Sequence, residues 1–344
     1  MSLPSEKEEV FYFEEIPVQD EENDTTEKTY TLSACPATYD SNLPAKRGGA
    51  TLTPVTSEGK TLLYLIGGAN RAAEAFNDVH VFDYDKKRWT QASPQDNSAF
   101  EPRSGHTSIA IGACIYVFGG ANLREGKVYN DLHILNTDTM EWTSPCADGD
   151  IPPPRSSHIA VALPQGMLIF GGSSPLVGGM NDTFLLTSKD GHFTWKSIAS
   201  PEAATLAKRE LHSACVLNNL VYICGGRLES GELCDELSIL DTETWTWTIE
   251  SMPAWRRCAH VSGVVHNQWL HFGGWDGGAE FCDDCWQLAL DVRSSCCKAP
   301  MRQVELNGQG NGRFAHCGCV VDDKLVIFGG MTVQDDLNDT LILH

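Results

Sequence analysis

Short apolar runs separated by turn-forming residues fill most of this chain, and one type of run recurs with the same ending. Six times, a run such as Ile115–Phe118 stops at a pair of adjacent glycines. The intervals between the first glycines of successive pairs are 52, 52, 54, 48 and 56 residues. A repeat of this length predicts one supersecondary unit copied six times along the chain. The glycine pairs are Gly67-Gly68, Gly119-Gly120, Gly171-Gly172, Gly225-Gly226, Gly273-Gly274 and Gly329-Gly330.

Three further signatures keep a constant order around each glycine pair. An Arg-x-x-His precedes the pair in five copies, whereas the first copy has Arg47 followed by Ala50. A polar doublet such as Asn130-Asp131 follows the pair, an apolar run comes next, and a tryptophan closes four of the copies. These alternating runs and turns predict four short strands per copy. The closing tryptophans are Trp89, Trp142, Trp195 and Trp247.

Taken together, these signatures make the chain resemble the kelch family over residues 28–344. The resemblance implies an all-β fold, a six-bladed kelch β-propeller with four antiparallel strands per blade around a central channel. Each blade would bury its apolar face against the next blade, so that stability is shared around the ring. We expect each tryptophan to lie against a neighbouring blade's glycine region, where a Cβ would clash. We expect the recurring arginine and histidine to be structural ties rather than ligands.

The two ends of the repeat region each hold an incomplete copy. Residues 29–34 are typical of a single strand, and the last copy stops at 338–344, after its third strand. We therefore predict that an N-terminal strand completes and closes the sixth blade. The fifth copy lacks the closing tryptophan, and residues 295–297 stand where its fourth strand is expected.

Residues 1–27 differ from the repeats because they hold ten acidic residues and one lysine around an apolar island at 10–13. We expect a disordered acidic extension here, followed by the propeller domain at 28–344. The island would serve as a docking peptide or a small extra strand. The whole chain carries a net charge of −21, and an acidic surface repels nucleic-acid phosphates. Nucleic acid is therefore not an expected partner.

The sequence also predicts where the protein resides. No window of roughly eighteen consecutive apolar residues occurs, so we predict no integral membrane segment. The first residues lack the pattern of a secretory signal, and the thirteen cysteines are an odd number spread through predicted strands. Buried free thiols in a reducing compartment account for these cysteines. We therefore expect a cytoplasmic protein.

Two patterns could carry metal chemistry. Cys282 and Cys285 have the spacing of a zinc half-site, but the adjacent cysteines at 296–297 would point apart on a strand. His266 and His271 are five residues apart on one strand and would face opposite sides. No phosphate-binding glycine loop, Ser/His/Asp set or paired carboxylates stand out. We predict no metal, no cofactor and no enzymatic activity, with a metal-dependent propeller enzyme as the weaker alternative.

Loops at one end of a propeller form a rigid platform, and such loops commonly carry function. The resemblance places the recognition face in the loops that follow Gly-Gly and the loops that precede Arg-x-x-His. These loops hold basic and aromatic residues, which are enriched at binding hot spots. The candidate partner-binding residues are Arg71, Arg124, Lys127, Arg227, Trp255, Arg256 and Trp275.

Within the family, Gly-Gly-Ala-Asn at 67–70 and 119–122 and the strand at 30–32 resemble the kelch-motif effectors of Rab-type small GTPases. This resemblance implies a protein-binding role in endosomal vesicle traffic, with peripheral attachment to endosomal membranes. The alternative is an adaptor that captures a short acidic or C-terminal peptide in a ubiquitin-ligase or scaffold complex. A deep basic pocket would favour the adaptor, and a broader, flatter patch would favour the GTPase effector.

Overall fold

The computed structural model describes residues 29–35, 43–95, 100–290, 300–308 and 310–344, and it forms a six-bladed β-propeller. This confirms the predicted fold class. The acidic segment at 1–27 lies outside the described residues. Each blade is an antiparallel sheet of four strands whose first strand lines the central channel. Among the described residues, the only helix is a short 3-10 turn at Pro201–Thr205, and none is long and apolar enough to cross a membrane.

The strand bounds follow the repeat, and within each blade the order runs from the channel outward. Blade one consists of Thr51–Ser57, Lys60–Ile66, Val79–Asp83 and Arg88–Ala92. Blade two consists of Thr107–Ile111, Cys114–Phe118, Leu132–Asn136 and Glu141–Thr143. Blade three consists of Ile159–Leu163, Gly166–Phe170, Thr183–Lys189 and His192–Ser197. Blade four consists of Ser213–Leu217, Leu220–Cys224, Glu236–Asp241 and Thr246–Ser251. Blade five consists of Val261–Val265, Gln268–Phe272, Cys285–Ala289 and Arg302–Val304. Blade six consists of Cys317–Val321, Lys324–Met331, Asp336–Leu343 and Tyr30–Ala34.

Several shorter strands supplement these sheets. Ala147–Gly149 runs parallel to the outer strand of blade three, and Leu306–Asn307 runs parallel to the outer strand of blade six. Two-residue ladders stiffen the loops after the glycine pairs in blades two and three. In blade four, such a ladder joins this loop to the segment before the first strand. These ladders pair Ala121–Asn122 with Lys127–Val128, Ser173–Ser174 with Gly178–Gly179, and Arg209–Glu210 with Arg227–Leu228.

The N-terminal strand closes the ring as predicted. Tyr30–Ala34 pairs antiparallel with Asp336–Leu343, with Leu32 opposite Leu343 and Ala34 opposite Leu341. Its inward side chains Tyr30 and Leu32 are buried in the core between blades five and six. The first and last strands of the repeat region therefore share one sheet.

The fourth strand of blade five lies later in the chain than the sequence predicted. It is Arg302–Val304, which pairs antiparallel with Cys285–Ala289. The expected position at 295–297 lies outside the described residues. Because this strand lacks the tryptophan that marks it in other blades, its register could not be read from the repeat.

Apolar side chains from adjacent blades form the cores. Between blades three and four, for example, Val161 and Phe170 pack with Val221 and Trp247. Three of the four closing tryptophan rings lie on the phenylalanine that immediately precedes a glycine pair. Trp89, Trp195 and Trp247 contact Phe328, Phe118 and Phe170 of the preceding blade, with ring centroids 4.9, 4.8 and 5.3 Å apart.

The space beside the glycines themselves is filled differently from the expectation. A Cβ on Gly119 would lie 2.7 Å from the Arg155 carbonyl oxygen and 3.0 Å from the His158 ring, both in the next blade. The first glycines of blades one, three, four and five meet the same pair of groups, whereas Gly329 of blade six meets the Arg47 carbonyl oxygen without a histidine. The closing tryptophans therefore do not lie beside the glycines. The space predicted for them is occupied by the arginine carbonyl of the next blade and, in most blades, by its recurring histidine ring.

Two closed rings of backbone hydrogen bonds join the blades. In the inner ring, each N–H donates to the carbonyl of the equivalent residue in the preceding blade, and all six residues have φ between 49° and 66°. In the outer ring, the second glycine of each pair donates to the carbonyl of the arginine that opens the next blade, at 2.8–2.9 Å. The inner-ring residues are Gly49, Gly105, Ser157, Leu211, Ala259 and Ala315.

Deleting the closing strand should open the ring. Removal of residues 1–35 exposes the unpaired edge of Asp336–Leu343 and its apolar face, and such edges drive aggregation. Removal of residues 1–28 keeps the strand and is the matched control. Size-exclusion chromatography should show aggregates for the first variant and monomer for the control. Equal monomer recovery from both would contradict the closure.

Replacing the first glycine of a pair by alanine should destabilise the propeller more than the same change at an inner-ring glycine. Gly105→Ala adds only the strain of a left-handed backbone, about 1 kcal/mol, because its nearest contacts are 3.4 Å from the new Cβ. Gly119→Ala adds the same strain and a Cβ 2.7 Å from the Arg155 oxygen. We expect it to lower the free energy of unfolding by roughly a further 1–3 kcal/mol, measured by urea denaturation. Equal losses in the two variants would show that the blades do not approach this closely.

Candidate interaction face

The loops that follow the glycine pairs surround one end of the channel. In most blades, the residue after the pair forms a β-bridge with the residue just before the inner ring. Because the inner ring lines the channel mouth, these bridges fix the loops around it. We call this end of the molecule the loop face. The bridges join Gly48 to Ala69, Ser104 to Ala121, Ser156 to Ser173, Cys258 to Trp275 and Phe314 to Met331.

Buried arginines hold both ends of these loops. Arg155 is fully buried, and its Nη1 donates to Gly171 O at 3.0 Å and to Asp182 at 2.6 Å, while Nη2 donates to the second carboxylate oxygen at 2.9 Å. Bidentate pairs of this kind combine charge with fixed geometry. The same contact recurs for Arg47, Arg103, Arg257 and Arg313 with Asp78, Asp131, Asp284 and Asp339.

The carboxylate of Asp131 is stabilised in its charged form. Burial alone would raise the pKa of Asp131, but hydrogen bonds from His133 and Arg103 hold that pKa well below its ordinary value. His106, in the same blade, is fully enclosed, and burial lowers its pKa to about 3. The recurring arginines and histidines therefore form fixed structural ties around the channel, as the sequence predicted.

Blade four departs from this scheme because its polar doublet is Asp235-Glu236 instead of Asn-Asp. Arg209 there contacts backbone and neutral groups instead of a bidentate carboxylate. Its Nη1 donates to Glu236 O at 3.1 Å and lies 3.3 Å from Cys234 Sγ, and its Nη2 donates to Ser238 Oγ. The fold keeps the arginine without its usual counter-charge.

Four of the basic candidate residues are about half-exposed on the loop face and engage other loops. Arg71 crosses to blade six, where it donates to Thr332 O at 2.6 Å and Val333 O at 2.9 Å. Arg71 also lies 3.6 Å from a carboxylate oxygen of Asp336, and the other three form ion pairs as well, so the loop face is less positive than the sequence indicated. These pairs are Lys127 with Glu101 at 2.8 Å, Arg227 with Glu210 at 2.5 Å, and Arg256 with Asp235 at 2.8 Å.

Arg124 differs from these four. It lies at the exposed tip of the blade-two loop, and no hydrogen bond or ion pair of its side chain is found with any described residue. Of the basic candidates, it is therefore the one whose charge is most available to a partner.

The two aromatic candidates lie in opposite environments. Trp255 is only 3% exposed and packs on His260 and His271, with ring centroids 5.2 and 5.0 Å away. It belongs to the core between blades four and five, so the prediction of a partner-contacting ring there is wrong. Trp275 is half-buried at the channel mouth, and its Nε1 donates to Gly278 O at 2.7 Å.

Exposed aliphatic side chains at the loop tips were missed by the sequence analysis. Leu176 is 92% exposed and Leu123 is 75% exposed, in the loops of neighbouring blades three and two. Val177 and Val333 are also exposed. A signal was present, since each lies within a turn-rich loop, outside the four apolar runs of its copy.

The channel mouth forms a cavity of about 290 Å³. Its lining comes from the inner ring and the first residues of the six inner strands, and it contains no lysine, arginine, aspartate or glutamate. The histidines that line it are buried and neutral, as His316 shows, whose pKa burial lowers to about 3. The mouth is therefore a small, uncharged depression.

A family model described as the KLHDC2/KLHL20/DRC7 Kelch-repeats domain matches residues 24–143 and 49–251. The chain belongs to the kelch-repeat family. Kelch domain-containing protein 3 of rat and of human is 28% identical over 275 residues, which cover 74% of this chain and 69% of the relative. Host cell factor of Drosophila melanogaster is 26% identical over 297 residues, covering 72% of this chain and 20% of that protein.

A further relative matches only part of the kelch propeller. Acyl-CoA-binding domain-containing protein 4 of Arabidopsis thaliana is 32% identical over 158 residues, covering 46% of this chain and 22% of that protein. The similarity to these proteins therefore lies in the propeller itself.

The cysteine pair that resembled a zinc half-site is part of this kelch scaffold. Burial raises the pKa of Cys282 to about 11 and that of Cys285 to about 12, so both remain thiols at neutral pH. Cys285 packs with Val304 and Leu270 in the core between blades five and six. Within the described part of the chain, these two thiols do not join other ligating side chains in a group.

Trp255 is buried whereas its neighbour Arg256 is exposed, and substitution of each residue tests this difference. Trp255→Ala removes a buried ring and should lower the free energy of unfolding by about 3–5 kcal/mol. Arg256→Ala, its exposed neighbour, should change it by less than about 0.5–1 kcal/mol. Urea denaturation of both variants measures the difference. A Trp255 variant as stable as the Arg256 variant would place that ring on the surface.

Proposed function

We propose that this kelch propeller is a non-enzymatic interaction module that binds a folded partner protein across its loop face. The observation that carries this proposal is the exposure of aliphatic side chains at adjacent loop tips, above all Leu123 and Leu176. Contiguous exposed apolar patches rimmed by polar residues mark interaction sites, and leucines on the loops of neighbouring blades would supply such a patch. Arg124 lies beside Leu123 and adds a cation without a counter-charge among the described residues.

The charge distribution favours a broad contact over a peptide pocket. An acidic or C-terminal peptide would need cations at the channel mouth to pair with its carboxylates. The mouth lining carries none, and the nearby cations at 127, 227 and 256 are already paired with acidic side chains. A folded partner that covers the loop tips requires no deep basic pocket.

The partner class that we propose is a Rab-type small GTPase in its GTP-bound form, met on endosomal membranes. Support comes from the motif resemblance at 67–70 and 119–122 together with the exposed apolar and basic side chains at the loop tips. The peptide-capturing adaptor is the alternative, and it predicts binding that is independent of any nucleotide.

Capture from a cytosolic extract tests the loop face and the partner class together. The intact chain is used as bait with a GTP analogue or GDP, beside the variant Leu123→Glu/Leu176→Glu. Ile249→Glu is the matched control, since Ile249 is an exposed aliphatic residue on the outer strand of blade four. We expect a small GTPase only in the GTP-analogue arm. Its affinity should fall at least tenfold, or about 1.4 kcal/mol, in the loop-tip variant and remain unchanged in the control.

Two other outcomes would contradict parts of this proposal. Partners recovered equally with both nucleotides and displaced by a short acidic peptide would favour the adaptor. Partners retained fully by the Leu123/Leu176 variant would show that the loop tips are not the binding surface.

A further inference from the structure

Two polar side chains replace apolar ones at the interface between blades four and five. Cys224 occupies the position before a glycine pair, and His271 occupies the position two before the next pair. Both are completely buried. The counterparts of Cys224 in the other blades are Ile66, Phe118, Phe170, Phe272 and Phe328. The counterparts of His271 are Leu65, Val117, Ile169, Ile223 and Ile327.

The two side chains converge with the recurring histidine of blade five, His260. Cys224 Sγ lies 3.8 Å from His271 Nδ1 and 4.0 Å from Nε2. The rings of His260 and His271 are 5.2 Å apart between centroids. One ligand atom from each of the three residues lies within 4.8 Å of the other two. One thiol and two imidazoles therefore share one buried point.

Ordinary packing does not account well for His271. Its ring lies between Trp255 and Trp269, at centroid distances of 5.0 and 4.4 Å, and its hydrogen-bond contacts in the described structure are to the Cys224 sulfur. A buried polar ring with only a weak sulfur partner is destabilising. Neutral imidazole is the form of histidine that binds metal ions.

We propose that Cys224, His260 and His271 bind one Cu⁺ ion in a trigonal site. Thiolate sulfur and imidazole nitrogen are ligands that suit copper. With metal–sulfur and metal–nitrogen bonds of about 2.3 and 2.0 Å, trigonal geometry separates sulfur from nitrogen by about 3.7 Å. The observed separation of 3.8 Å between Cys224 Sγ and His271 Nδ1 is close to this value.

The single negative charge of a ligand set made of one thiolate and two neutral imidazoles favours a monovalent ion. Binding exchanges the thiol proton for the ion, so Cys–SH and Cu⁺ give Cys–S–Cu and one released H⁺. The product is neutral, whereas Zn²⁺ on the same ligands would leave a net positive charge in the core. Arg257 acts electrostatically on His260 and His271, and its own charge is paired with Asp284.

The ion has a route from solvent. His260 and Ser213 line the channel-mouth cavity. Ser213 Oγ lies 2.7 Å from His260 Nε2 and 3.8 Å from Cys224 Sγ. This serine therefore connects the cavity to the thiol.

Anaerobic titration of the full chain with Cu⁺, in competition with a chromophoric Cu⁺ chelator, tests the site. Because the chain has thirteen cysteines, the readout is the difference in tightly bound equivalents between variants. His271→Leu and Cys224→Val should each bind one equivalent fewer than the wild type. Cys215→Ala, a buried cysteine in the same blade, should lose none. X-ray absorption of the wild type at one equivalent should show one sulfur and two nitrogen ligands.

Thermal unfolding supplies a second readout. An ion that binds only the folded state raises Tm, so Cu⁺ should raise the Tm of the wild type and of Cys215→Ala but not that of His271→Leu. That variant carries a residue found at this position in another blade, so it should fold even if Cys224→Val does not. Equal stoichiometry and an equal Tm rise in His271→Leu would overturn the site. Preferential binding of Zn²⁺ would overturn the assignment to Cu⁺.

Discussion

The close approach of neighbouring blades around the channel is the constraint on which this propeller depends. Each blade donates one backbone hydrogen bond through its inner-ring residue and another through the second glycine of its pair. The first bond requires a left-handed backbone, and the second requires that nothing project from the adjacent glycine toward the next blade's arginine carbonyl. A side chain at that glycine would separate the blades and break both bonds together. The repeated Gly-Gly is therefore a condition for closing the ring.

The remaining signature residues complete this contact from either side. The recurring histidine fills the space beside the first glycine, and its Nε2 bonds back to the preceding blade, as His158 does to Thr107 Oγ1 at 2.8 Å. The buried arginine fixes the loop that leaves the glycine pair within its own blade. Farther out, a tryptophan or its substitute seals the apolar interface. These groups are all used in holding the ring.

Much of the fold could be predicted because the same sequence repeat occurs six times. Blade number, strand order and closure by the N-terminal strand all follow from copies that can be compared with one another. Trp255 was misplaced because it stands two residues before Arg257, in a segment whose sequence is typical of a loop. In blade two, however, Phe100 has a similar place and stacks on Trp142 at 4.8 Å. Comparison with that copy would have indicated a buried aromatic residue.

The electrostatics of the loop face could not be predicted in the same way. Arg227 and Glu210 lie seventeen residues apart, and Arg71 reaches residues more than 260 positions away in sequence. Such pairs depend on how separate loops meet, within one copy for Arg227 and Glu210 and between copies for Arg71, which the repeat does not encode. The cluster of Cys224, His260 and His271 is a related case, since two departures from the pattern in successive blades become neighbours only after the ring has closed.

Amide hydrogen exchange at the inner ring tests the central claim most directly. The amides of Gly105, Ser157 and Leu211 lie at the mouth of a channel, yet each is hydrogen-bonded to the preceding blade at 2.7–2.9 Å. If these bonds close the propeller, their exchange requires global unfolding and should be as slow as that of the second strands, which lie in the core. Exchange as fast as that of the exposed loop around Leu176 would contradict the account, because the blades would then be held together without the inner ring.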